Sequence, residues 1–170
     1  MKLEGHIIEF IESGTIRVGY VRKENYSSVQ VVDQRDRQFS VTRPRVAIIH
    51  QAVSEPEFKK TLQTLLEQIE KFKNEIDAEL LWNSINSDIR DFSVRELAQA
   101  YFGKTSSTLE AALFRKLEQE QLLFKRSNSR FQPIPKEQVV KERFRKEREH
   151  EKQNFREKVE KLLRHAMKTT

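Results

Sequence analysis

The residues best suited to chemistry here are cations and aromatic rings. Arg17, Arg22, Lys23, Arg43 and Arg45 lie among short apolar runs, with Tyr20 and Tyr26 nearby. That mixture supplies positive charge for phosphates and ring faces for stacking on bases, so these seven are candidate RNA-binding residues. The same side chains also decorate any half-buried strand, where Arg and Lys are solvated and Tyr sits in the core with its hydroxyl at the rim. A second cluster, Lys125, Arg126 and Arg130, surrounds the polar run Ser127-Asn128-Ser129 and would touch a phosphate backbone or stand in solvent.

Catalytic patterns are missing. No G-x-x-x-x-G-K-[ST], G-x-S-x-G or H-E-x-x-H occurs, and His6, His50, His150 and His165 are scattered, most simply as surface residues. Asp33, Asp36, Asp77, Asp88 and Asp91 do not recur at a spacing suited to holding Mg²⁺. No catalytic or metal-ligating residue and no cofactor is therefore expected on these 170 residues, which are not expected to act as an enzyme alone.

The chain has no cysteine, so neither a disulfide nor a thiolate metal site can form; this agrees with a reducing cytoplasm or organelle interior, and a cytoplasmic location is expected. No apolar run is long enough to cross a bilayer, and the N-terminus lacks the apolar core of an export signal. The net charge of +6 is uneven: +2 over residues 1–50, −1 over 51–135 and +5 over 136–170. Basic excess lies mainly in the tail.

The elements that must position these groups follow from periodicity. Ile7, Ile8 and Phe10, then Ile16, Val18 and Tyr20, then Val29 and Val31, then Phe39 and Val41 recur near period two. Four or five short strands are expected in a small SH3-like β-barrel or rolled sheet over residues 1–50. A connecting helix follows over 51–76, with Ser54 and Glu57 as a capping box and Phe58, Leu62, Leu65, Ile69, Phe72 and Ile76 as a seam for neighbouring helices.

Residues 77–135 carry the most specific pattern. A helix runs through Leu80, Leu81, Trp82 and Ile85; Ser93 and Glu96 form a second capping box beside a Phe92–Leu97 staple; Gly103 stands where a left-handed cap is needed. Ser107 and Glu110 repeat the box, Leu109, Leu113 and Leu117 share a face, and LLFKR-SNS-RFQPIP reads as a hairpin. Three helices and a hairpin in that order make a winged helix. Residues 136–170 then form a long charged helix, solvated over 145–154, whose stripe of Phe155, Val159, Leu162 and Ala166 calls for a partner. The fold class is thus α+β.

A DNA-reading winged helix lays its last helix in the major groove. Here Glu110, Glu118 and Glu120 outweigh Arg115 and Lys116 on that helix, and phosphates would repel it. Packing or shape-based RNA contact suits it better.

The order of "VVDQRDRQFSVTRPRV", "LLWNSI", "FSVRELAQAYFG", "AALFRKL" and "LLFKRSNSRFQPIP" resembles the N-terminal region of ribonuclease II-type exoribonucleases, the cyanobacterial and chloroplast branch in particular, over roughly residues 3–150. The resemblance implies a small barrel and winged helix ahead of an Asp-rich magnesium domain that degrades RNA from the 3′ end. It carries over no catalytic residue, because the chain stops where that domain would begin. The expected partners are single-stranded RNA and the catalytic body. The alternatives are a winged-helix DNA-binding regulator that dimerises through its tail, and a protein-docking scaffold.

Overall fold

The computed structural model describes residues 2–168. Five strands come first, β1 (His6–Glu12), β2 (Thr15–Glu24), β3 (Ser28–Val32), β4 (Gln38–Thr42) and β5 (Val46–Ala52), all antiparallel in the order β4-β3-β2-β1-β5. The β1–β2 turn uses Ser13 and Gly14 at φ 51° and 77°, and Asn25 accepts hydrogen bonds from the Ser27 and Ser28 N–H groups to shape the next turn.

The expected barrel is not closed. Its edge strands β4 and β5 are joined by a 3₁₀ turn, Arg43–Arg45, and do not pair. The sheet is instead rolled by register shifts in the β1–β5 and β2–β3 ladders. Gly19, paired with Ile8, permits the tightest approach: a Cβ there would overlap Val31 Cγ1, so the close packing of β2 on β3 requires glycine.

Closure is unnecessary because the helices cover the second face. Ile8, Phe10, Val21, Val29, Val31 and Val41 fill the concave side, while Ile7, Ile11, Tyr20 and Ile48 join the helical core. β1 is therefore buried on both faces from Ile7 to Ile11.

A 3₁₀ turn, Glu55–Glu57, leads into α1 (Phe58–Glu75). The capping box anticipated at Ser54 does not form; its carbonyl, rather than its side chain, accepts the Glu57 N–H. Phe58, Leu62, Leu65 and Ile69 are buried along the expected seam. Asp77 caps α2 (Ala78–Ile85), which buries Ala78, Leu81 and Trp82 but leaves Leu80 exposed.

A short strand not anticipated from sequence, β6 (Phe92–Ser93), precedes α3 (Val94–Phe102), whose N-terminus is capped by Ser93 accepting from Glu96 N at 3.1 Å and whose C-terminus is closed by Gly103 at φ 75°. α4 (Ser107–Gln119) is capped by Ser106, one residue before the expected position. β7 (Phe124–Ser127) and β8 (Arg130–Pro133) form the wing, in a sheet ordered β6-β8-β7.

The last element, α5 (Lys136–Lys168), is about 50 Å long at 1.5 Å per residue. Its root is fixed by buried Val139, by the Trp82 indole donating to the Ile134 carbonyl at 2.8 Å and by an Arg143–Glu79 ion pair at 2.8 Å. Every residue from Arg143 to Lys168 is exposed, including the expected stripe of Phe155, Val159, Leu162 and Ala166. Ion pairs in its middle centre on Arg145, which meets Glu142 and Glu149. The anticipated tail range reaches residues 169 and 170, which lie outside those described.

Candidate nucleic-acid interface

The helix that a DNA-reading winged helix would insert into the groove is enclosed here. α4 buries Leu109, Ala111, Ala112, Leu113, Phe114 and Leu117 between α1, α3, β5 and β7, and only Gln119 on it is fully exposed. This enclosure follows from the sequence of its two sides: small Ala111 and Ala112 admit close packing on one side, while Phe114 meets Phe131 of the wing edge-on at 5.2 Å.

The charges on α4 are also engaged. Arg115 reaches Glu9 of β1 at 2.5 Å, and the second Glu9 oxygen lies 2.5 Å from His50 Nε2 on β5. Glu9 and His50 have fully buried side chains, so the expectation that His50 is a surface residue is corrected. Its strand is covered by the helical half. Burial alone would raise the Glu9 carboxyl, but the His50 hydrogen bond and Arg115 charge outweigh it and hold the pKa below the ordinary carboxylate value. This group ties the sheet to the winged helix, and its non-local contacts gave no signal in the sequence.

The ten candidate RNA-binding residues divide by environment. Tyr20 is 9% exposed and packs its ring on Phe58 at 5.6 Å, which removes its face from any base. Arg22 pairs with Glu55 at 2.7 Å, and that hydrogen bond holds the Glu55 carboxyl below its ordinary value. Arg43 binds Glu24 at 2.9 Å and the carbonyls of Asn25 and Tyr26, bracing the β2–β3 turn. Arg45 binds Glu12 and the Ile11 carbonyl. Arg126 bridges Glu118 at 3.1 Å and the Gly14 carbonyl, so it joins wing to β1–β2 turn as a structural tie.

The remaining five candidates are less engaged, although Arg17 is half-buried. Arg17 lies over the Phe39 ring at 5.5 Å with no ion-pair partner among the described residues, and Lys23 and Lys125 are exposed without one. Tyr26 is 98% exposed at the tip of the β2–β3 turn, held there by Arg43. Arg130 is exposed; its guanidinium donates to the Asp91 carbonyl at 3.3 Å and lies 4.0 Å from Glu96. Sequence reading did not single out Arg90 and Arg95, which line an open groove of about 760 Å³ beside α3; Arg90 lies over the Phe92 ring at 4.0 Å.

Residues 64–138 match the family model of the ribonuclease II winged helix domain. The match runs from within α1 to the first turn of α5, a little under half of the chain, and so covers the enclosed α4 and the whole wing. No curated protein and no solved structure matches the chain. In the region that this match covers, the wing presents exposed cations, whereas the helix pair α3–α4 carries the packing. Among the described residues no group of three or more His, Asp or Glu is arranged to hold a metal ion. No helix among them is long and apolar enough to cross a membrane.

Proposed function

We propose that the chain is the RNA-binding front region of a ribonuclease II-type 3′–5′ exoribonuclease, acting on single-stranded RNA beside a magnesium-dependent catalytic domain. The observation that carries this reading is the ribonuclease II winged-helix match at residues 64–138. The enclosure of α4 supports it, because a groove-reading mechanism needs the face that this protein buries. Phosphates would meet Arg17, Lys23, Lys125 and Arg130, and a base would stack on Tyr26. α5 spaces this region from the catalytic body.

The experiment is a titration of the full chain with labelled single-stranded RNA and with duplex DNA at two salt concentrations, with mass measured in solution. RNA binding that tolerates sequence change and weakens steeply with salt is expected. Sequence-dependent duplex binding by a dimer would overturn the proposal in favour of a transcription regulator. Binding to neither would point to protein docking through the α5 stripe.

A further inference from the structure

The middle of α5 carries two unlike faces. Lys141, Phe144, Arg148, Lys152, Phe155 and Arg156 recur at steps of three and four and share one face, turned away from the buried Val139 that roots the helix. The opposite face mixes Glu142, Glu157 and Glu160 with Lys146, Lys161 and Arg164 and sums to zero.

On the first face, Lys141, Arg148, Lys152 and Arg156 make no ion pair among the described residues, and Glu151 stands at its edge. Phe144 and Phe155 are 61% and 69% exposed, so both rings stand in solvent beside the cations. Arg148 lies over the Phe144 ring at 5.8 Å, and Arg148, Glu151, Lys152, Phe155 and Arg156 border a shallow groove of about 320 Å³.

We infer that this face of α5 is a track for a single strand of RNA, with Lys141, Arg148, Lys152 and Arg156 on phosphates and Phe144 and Phe155 under bases. Charge complementarity selects the occupant: Arg148, Lys152 and Arg156 recur about once per helical turn of 5.4 Å, and Lys141 stands about two turns before them. Exposed rings between cations favour unstacked bases, which a duplex does not offer. A membrane surface fits less well, because Arg148 and Lys152 stand between the two rings where an interfacial helix needs an apolar face. The inference rests on the RNA-binding reading above and gives it a location.

The test is fluorescence anisotropy of the full chain with a labelled oligouridine, using R148Q/K152Q/R156Q, F144A/F155A and the opposite-face control K146Q/K161Q/R164Q, with helicity checked by circular dichroism. The stripe cation variant should bind about tenfold or more weakly and lower the salt slope by about 2, as expected for three lost single-strand phosphate contacts. The phenylalanine variant should bind about tenfold more weakly, and the control should change less than about twofold.

Equal losses in stripe and control variants would show that net charge alone matters and overturn the track. Unchanged RNA binding in both stripe variants would overturn it while leaving the RNA-binding front intact. No binding by the unsubstituted chain would overturn both. Phosphatidylserine vesicles form the second arm: vesicle binding lost in F144A/F155A with RNA binding unchanged would assign the face to a membrane surface instead.

Discussion

Arg115→Met is expected to destabilise the fold by about 3–5 kcal/mol, because it leaves the Glu9 carboxylate buried without its guanidinium partner. Glu9 has no access to water, and His50 alone faces it once the guanidinium is removed. Replacing Glu9, His50 and Arg115 together by apolar residues of similar volume should be far milder, since desolvating the group costs about as much as its attraction returns. Denaturant unfolding of the single and triple variants checks both statements; a single variant within about 0.5 kcal/mol of the parent would contradict them.

The same group sets an acid dependence. The folded pKa of Glu9 lies below its unfolded value. Its stabilisation is therefore complete above the ordinary carboxylate range and is lost as pH falls through the lowered folded value. Much of that loss should be absent from the triple variant.

Phe131→Ala is expected to cost about 3–5 kcal/mol and to loosen the wing. Phe131 is 1% exposed, sits between Phe92 and Arg126 in the three-stranded sheet and packs edge-on against Phe114 of α4. Its loss opens a cavity beneath the strands that carry Lys125 and Arg130, so RNA affinity should fall together with stability. Arg130→Ala, on the exposed side of the same strand, should leave stability within about 0.5 kcal/mol. Thermal unfolding of the pair checks this, and equal melting shifts would contradict it.

What was legible in the sequence was local. Ser93, Glu96 and Gly103 signal their caps within four residues of the groups they serve, and the α1 seam shows in its own spacing. The wing hairpin followed from its polar turn, with Asn128 at φ 54°. Ser107 misled by one position because adjacent serines compete for the same cap, and Ser106 holds it.

What was hidden was non-local. Glu9 alternates with apolar neighbours as a solvent-facing residue would, yet α4 covers its face and makes β1 an interior strand. The charge pattern around Tyr20, Arg22, Arg45 and Arg126 resembled an open surface, but partners tens of residues away engage all four. β6 exists only through its pairing with β8, which two residues cannot announce.

In the proposed function this winged helix packs through α4 and meets RNA elsewhere. Ultraviolet crosslinking of the full chain to thiouridine-labelled single-stranded RNA, read out by peptide mass spectrometry, tests it most directly. The account predicts crosslinked peptides around Lys23–Tyr26, Lys125–Arg130 and Phe144–Arg156; crosslinks confined to α3 and α4, or their loss on addition of duplex DNA competitor, would contradict it.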